Sequence, residues 1–540
     1  MRGRHAPGAA RATVLVACAL LLLLAKVALS AEPEPPRPTA ADSLLRSARV
    51  LADDKQFAAA AAELRRAHAA RPEDRAIWSL LARVLAWDRR YDESIREYRG
   101  LLAAHPDDAF DRAGHARVLA WSGRHDEAVR EFRRAVAADS TNLESRIGLA
   151  RTLSWNGDLP GAAIEYARIR RANPAYGDAW LGTASIARWR GAATAADVFA
   201  RRAAERGADP SALEEERAAI DRALAPTLTV GVATSHETQR ASGAPDFEIE
   251  ESGPFAAGRA TLGRAIGVGV RVSRTQLFEH NQRAAVGDTT LHYDLTSQRV
   301  QADASMLRAY PIQASLAVEW RRFESRGDKV LYPLTGSDAF TGWSARIWGY
   351  AGRFTPRFTT RRTFVALKGS DTSTGALQFQ PGRVTDREAS LAWQWDARGT
   401  ASVFAARGDV SDGNRRLRSG GRVAYRVHAG MPRWTIDYAL AFSDWNFRSP
   451  SYFTPLASTR HAGGLALSGY SDAGSLDYGA RYELSHLASS TFDAIVTNAF
   501  SAYLNGAASG HVPLGIEGAW SVDNNDYKIW YLGLYGAVRW

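Results

Sequence analysis

The sequence predicts an α + β multidomain chain: an N-terminal α-solenoid of about five helix pairs, followed by a transmembrane antiparallel β-barrel of about 16 strands. Three observations predict it. A period of 34 residues runs from residue 41 to residue 210, apolar/polar alternation replaces it from Thr227, and the chain ends on an aromatic-rich alternating strand, Tyr527–Trp540. Side-chain direction repeats every 3.6 residues in a helix and every two in a strand, so a change of period is a change of architecture. A length of 540 residues also calls for more than one domain.

The N-terminus is predicted to be removed. Arg2, Arg4 and Arg11 precede the apolar run Thr13–Ser30, and Ala28-Leu29-Ser30 stands before Ala31 as a cleavage site. This is a signal peptide over 1–30, with a Pro-rich spacer over 31–40. Lys26 interrupts the run and argues against a permanent transmembrane helix. Leu15–Cys18 resembles a lipoprotein box, but the apolar stretch before it is shorter than the ~7–15 residues such a signal needs. Cys18 is the single cysteine. The mature chain therefore has no disulfide framework, no cysteine metal site and no thiol nucleophile. No later run reaches the ~18 apolar residues of a membrane-spanning helix, a criterion blind to barrels. The net charge is +10, yet arginine is spread along the whole chain and no dense basic run occurs. Nucleic acid is accordingly not a predicted partner.

Residues 41–225 form the helical domain. Trp87, Trp121, Trp155 and Trp189 recur every 34 residues, as do the phrases ARVLAW at Ala82 and Ala116 and ARTLSW at Ala150. Pro72, Pro106 and Pro174 keep the same register, with Ser140 in the remaining place. Small residues (Ser94, Ala128, Ala162) and aromatics (Tyr98, Phe132, Tyr166) recur in phase. Such a period, with a mid-repeat aromatic and a terminal proline, resembles tetratricopeptide repeats. Five fit, at 41–74, 75–108, 109–142, 143–176 and 177–210, with Leu213–Leu224 as a capping helix. Gly123 and Gly157 are predicted at the turn between the helices of a pair.

Residues 226–540 form the barrel. In Thr385–Asp396, Ala389, Leu391, Trp393 and Trp395 share one face against Asp386, Glu388, Ser390 and Gln394. In Arg433–Trp445, Trp434, Ile436, Tyr438, Leu440 and Phe442 oppose Thr435, Asp437 and Ser443; in Gln313–Arg321, Leu316, Val318 and Trp320 oppose Ser315, Glu319 and Arg321. Short links such as Ala309-Tyr310-Pro311 and Ser471–Gly474 alternate with longer ones such as Ser325–Phe340 and Asn446–Ser458. That alternation separates periplasmic turns from outer loops in an outer-membrane barrel. In the last strand Trp530, Leu532, Leu534, Gly536, Val538 and Trp540 form the lipid face. A soluble sandwich would need turns every ~8–12 residues and two inner faces.

A signal peptide, a repeat array carrying the LAW phrase and a C-terminal barrel together resemble the YaiO-type outer-membrane proteins. The plan is also similar to the outer-membrane exporters of poly-N-acetylglucosamine and of cellulose, and Tyr452-Phe453-Thr454-Pro455 resembles a segment of the latter. The resemblance implies a non-enzymatic protein of the Gram-negative outer membrane, with the repeats in the periplasm, serving export or assembly of a surface polysaccharide. Its implied partners are outer-membrane lipid, the barrel assembly machinery, and a polysaccharide chain or periplasmic or inner-membrane synthesis proteins engaged through the repeats. The alternatives are a structural envelope protein or surface receptor with a closed lumen, and a barrel hydrolase.

Candidate binding residues are Arg83, Trp87, Arg117, Trp121, Arg151, Trp155 and Trp189. Each Arg stands four residues before a Trp on one helix face, where a guanidinium can stack on an indole. The tetratricopeptide resemblance places the arginine position in the concave groove. Two readings follow: a ladder for a sugar chain or peptide, or Trp sealing repeat junctions while Arg pairs with nearby acids. Inward-facing Arg271, Arg299, Arg321, Arg422, Arg426 and Arg481 are set against Asp303, Glu319, Asp386, Glu388, Asp437, Asp477, Glu483 and Glu517. A lumen of mixed sign fits either a weakly charged polymer or an interior braced by ion pairs. No cofactor, metal ligand or catalytic residue is assigned: the chain has no GxSxG, no HExxH and no P-loop, since Arg264 stands where lysine is needed after Gly258 and Gly263. His486 with Ser489 is a chance-level pair.

Overall fold

A left-handed residue recurs at every turn between paired helices: Lys55, Arg89, Gly123, Gly157 and Gly191, all at positive φ and 34 residues apart. Each closes a helix end with two backbone bonds. Gly123 N–H donates to the Ala120 carbonyl and Arg124 N–H to that of Leu119, and the same pair of bonds recurs at each turn. This is the Schellman arrangement. The computed structural model describes residues 39–239, 247–286, 289–306, 310–325, 339–364, 383–428, 430–448, 455–471, 476–509 and 512–540. The signal peptide, 31–38 of the spacer, Tyr452–Thr454, Ala309 and the links over 326–338 and 472–475 lie outside these residues.

The chain folds as two units, Met1–Arg124 and His125–Trp540. The first holds α1 (Ala40–Asp53), α2 (Phe57–Ala70), α3 (Arg75–Trp87), α4 (Tyr91–Ala104) and α5 (Ala109–Trp121). Thr39 and Asp42 cap α1 reciprocally, Asp74 accepts from the Ala76 and Ile77 N–H groups, and Asp108 from that of Asp111. These side chains satisfy N–H groups that a helix start leaves free, worth ~1 kcal/mol each. Leu64, Ile77, Leu81 and Leu85 are fully buried between the helices.

The second unit begins with α6 (His125–Ala138), α7 (Leu143–Trp155), α8 (Leu159–Ala172), α9 (Gly177–Trp189), α10 (Ala193–Ala204) and α11 (Pro210–Leu224). Phe132 and Tyr166 are buried, and each ring lies over a glycine of the next helix pair. A Cβ at Gly148 would stand 2.4 Å from Phe132, and one at Gly182 2.1 Å from Tyr166. In the first unit Tyr98 meets Gly114 in the same way, at 2.5 Å. The 34-residue aromatic thus needs a 34-residue glycine to receive it.

The strands are β1 (Thr227–Gln239), β2 (Phe247–Leu262), β3 (Ile266–Val286), β4 (Thr289–Met306), β5 (Ile312–Ser325), β6 (Ala339–Gly349), β7 (Phe354–Phe364), β8 (Arg383–Gln394), β9 (Gly399–Val410), β10 (Arg415–His428), β11 (Arg433–Trp445), β12 (Ser458–Tyr470), β13 (Leu476–Ala488), β14 (Ile495–Ser509), β15 (Val512–Asp523) and β16 (Tyr527–Arg539). Each pairs antiparallel with its sequence neighbours, and β1 pairs with β16 from Thr227↔Arg539 to Gln239↔Tyr527, closing a 16-strand barrel. Closure leaves no strand edge to satisfy. The outer face is apolar and exposed: Leu228, Val230 and Val232 on β1, Ile436 and Phe442 on β11, Leu532 and Leu534 on β16. The alternation expected of the three interior segments holds, except that Trp395 falls in the turn after β8. An even strand count puts the start of β1, the end of β16 and the turns after even-numbered strands at one end, here termed the turn end.

Candidate functional site: the inner wall and the turns that meet the helices

The four ladder tryptophans are exposed to similar degrees, Trp87 43%, Trp121 42%, Trp155 48% and Trp189 44%. Trp87 lies 5.9 Å from Phe57 and Trp155 6.3 Å from His125, each the first residue of the second helix in the preceding pair. Each of these indoles covers a repeat junction and stays partly exposed. The arginines differ among themselves. Arg83 stacks 5.9 Å from both Trp87 and Phe110, whereas Arg151 pairs with Asp178 at 2.6 Å. Arg117 is half-buried. Beside Trp189 it is Arg188 that stacks, at 5.5 Å, while bonding to Glu216 at 2.7 Å.

Within the second unit the helices meet the turn end of the barrel, later helices on earlier turns. Asp126 of α6 pairs with Arg398 of the β8–β9 turn and accepts from Asn156 at 2.9 Å. In the α7–α8 turn, Asp158 takes both Arg353 nitrogens, at 2.9 and 2.8 Å, and the Gly157 carbonyl accepts from Gln394 at 2.9 Å. Arg190, between α9 and α10, donates to the Tyr310 hydroxyl at 2.8 Å and lies 4.4 Å over the Tyr350 ring. Arg264 of the β2–β3 turn reaches Asp197 at 2.7 Å and Asp221 at 2.9 Å. The arginine that spoiled the phosphate-loop pattern is therefore a docking residue. Asp158 is 1% exposed and also caps α8 through the Gly161 N–H. Burial pushes the Asp126 carboxyl up, but the Asn156 and Arg398 hydrogen bonds outweigh it and hold the carboxyl below its ordinary range. The nearby Asp197 carboxylate chiefly raises the Arg264 guanidinium, with Asp221 adding to it.

The inner wall has two regions. Near the loop end its side chains are packed: Asp386 lies between Arg361 at 3.2 Å and Arg416 at 3.3 Å, Arg416 stacks on Trp445, and Trp445 joins Val384, Val410 and Leu456 in an apolar cluster. Arg321 bonds to Ser297 at 2.8 Å and faces Glu251 at 3.5 Å. Nearer the turn end, Asp437 binds Arg422 at 3.0 Å and Arg481 at 2.5 Å, and Glu483 joins Arg481 to Arg460 at 2.7 and 2.6 Å. The Arg481–Asp437 pair crosses β12 above Gly464, where a Cβ would stand 2.4 Å from Arg481 and 2.6 Å from Asp437. On β14 and β16 the wall instead presents Tyr503, Tyr531 and Tyr535. Sequence reading found the inward charges but missed the glycines and tyrosines between them, because Gly463-Gly464 does not reveal which residue faces inward until register is known.

Hydrolase chemistry finds no assembled pair in His486 and Ser489. The Ser489 hydroxyl donates to the Leu456 carbonyl at 2.9 Å, and His486 shares the outer-face parity of Tyr482 and Leu484. Among the described residues, no group of three or more His, Cys, Asp or Glu side chains is placed to hold a metal ion. No described helix is long and apolar enough to cross a membrane, which does not bear on strands.

Fold and repeat chemistry together define a tetratricopeptide-repeat solenoid joined to a closed 16-strand barrel. The tetratricopeptide repeat family matches residues 51–113 and 121–211. Among solved structures, the chain is similar to a bacterial polysaccharide outer membrane secretin at 11% identity and a TM-score of 0.43, over 59% of this chain and 99% of that one. Its helical part is similar to a thermophilic tetratricopeptide repeat protein of Thermus thermophilus, at 15% identity and a TM-score of 0.30, over 34% of this chain and 99% of that one. It is also similar to YrrB, a repeat protein with an unusual peptide-binding site, at 16% identity and a TM-score of 0.27, over 32% and 90% of the two chains. No curated protein matches the sequence.

Proposed function

We propose that this chain is a non-enzymatic outer-membrane barrel whose periplasmic repeats serve the export or assembly of a surface polysaccharide. The observation that carries the reading is a closed barrel, apolar outside and polar inside, with repeat helices fixed to its turn end. An apolar outer face on closed strands is suited to lipid. Repeats held at one mouth can receive a chain or a synthesis protein there. The signal peptide over 1–30 supplies the route to the envelope, and the barrel assembly machinery the route into the membrane. Cell fractionation tests this: the chain is expected in the outer membrane, with a gel mobility that changes on boiling. Polymer at the cell surface should fall when the gene is deleted. Recovery as a soluble periplasmic protein would sink the reading.

A further inference from the structure

The inner wall is not uniform, and the difference between its regions points to a ligand. We propose that Tyr503, Tyr531 and Tyr535 form a binding strip for an uncharged polyhydroxylated chain, an extended neutral oligosaccharide. The proposal rests on the polysaccharide reading above and names the class of ligand.

Each of the three rings lies against the wall over a glycine. A Cβ at Gly479 would stand 2.4 Å from Tyr503, one at Gly515 2.3 Å from Tyr535, and one at Gly533 2.7 Å from the Tyr531 hydroxyl. The missing Cβ leaves room for each ring to lie back along the wall, where a π-face can be offered to the lumen. The negative face of such a ring attracts the positive C–H bonds of a sugar ring, so flat tyrosines make landing places for pyranoses. Their rims are already oriented. The Tyr531 hydroxyl donates to Glu517 at 2.8 Å, that of Tyr535 to the Asn505 side-chain oxygen at 2.6 Å, and that of Tyr503 to Asp477 at 3.4 Å. A carboxylate offers about four lone-pair sites, so Glu517 and Asp477 retain capacity for ligand hydroxyls. Register places the set on one patch: Glu517 lies opposite both Tyr503 and Gly533, midway between Tyr531 and Tyr535. Those two tyrosines are four residues apart on β16, ~13 Å along the strand.

Charge selects among sugar chains. Asp437 is held by Arg422 and Arg481, and Glu483 by Arg460 and Arg481. On the tyrosine patch the partners of Asp477 and Glu517 are hydroxyls, which leave the negative charge in place. Those two carboxylates repel a polyanion such as a uronate chain, against the pull of Arg271 near Tyr531, and leave a neutral chain unopposed.

The test uses the full chain in detergent, titrated calorimetrically with a linear neutral glucose oligomer and a linear uronate oligomer of equal length. The neutral oligomer should bind, with the uronate at least about tenfold weaker. Replacing Tyr503→Ala, Tyr531→Ala and Tyr535→Ala together should weaken neutral binding about tenfold or more, with heat-dependent gel mobility as the check on folding. The pair Asp477→Asn and Glu517→Gln, which leaves the rings in place, should raise uronate affinity toward that of the neutral oligomer. Undiminished binding in a folded triple variant, or a uronate affinity indifferent to the acid changes, overturns the strip and leaves the polysaccharide reading standing. Failure of the unaltered protein to bind either oligomer overturns both.

Discussion

Asp158 shows how much can rest on one side chain. It is buried, it caps α8, and it accepts both nitrogens of Arg353. Removing one partner of a buried pair leaves an uncompensated charge and costs about 3 kcal/mol. Arg353→Ala is therefore expected to loosen the contact between the α7–α8 turn and the β6–β7 turn while the barrel persists. Spin labels on α8 and beside Tyr350 should report a broadened distance distribution; an unchanged one means the other docking contacts suffice. The same labels report pH. Because the Asp126 carboxyl is held below its ordinary range, its contribution is present above the unfolded value near ~3.9 and is lost as pH falls through the lower folded value. The wild-type distance should hold at neutral pH and broaden only below about pH 4.

At the scale of single elements, neighbouring residues on a strand have opposite tasks. Gly464 must stay bare because the Arg481–Asp437 pair passes over it, whereas a Cβ at Gly463 meets nothing within 4 Å. Gly464→Val should break the bridge and lower the temperature at which the barrel loses its unboiled gel mobility. Gly463→Val, on the outer face, should leave that temperature nearly unchanged. Equal effects would mean that the bridge does not hold β11 to β13. The helices show how far such detail was legible beforehand. The 34-residue period announced the turns at Gly123 and Gly157, since a left-handed position favours glycine. Arg89 and Lys55 occupy the same conformation without that signal. Gly148 and Gly182 likewise matter only once Phe132 and Tyr166 are seen to lie on them.

For the molecule as a whole, the architecture was legible because periodicity is repeated information: five near-copies of one helix pair and sixteen strands of one alternation. The docking residues were not, because Arg353 and Arg398 are single polar residues in turns that recur in no pattern, and Gln394 reads only as one more polar place in the β8 alternation. Closure was legible in the last strand, which pairs along its full length with β1. Deleting Tyr527–Trp540 strips both β1 and β15 of a partner and exposes two rows of backbone groups. The truncated chain is expected to be degraded rather than inserted, as immunoblots of membrane fractions would show; stable insertion would place closure elsewhere.

The reverse-order docking of helices on turns has a consequence for how such a chain can lengthen. From α6 onward the helices meet successive turns of the barrel, so an added pair there would shift every later one off its turns. Insertion of a whole 34-residue module is therefore penalised after His125. The part of the solenoid fastened to the barrel keeps a fixed count, set by the spacing of the turns it meets.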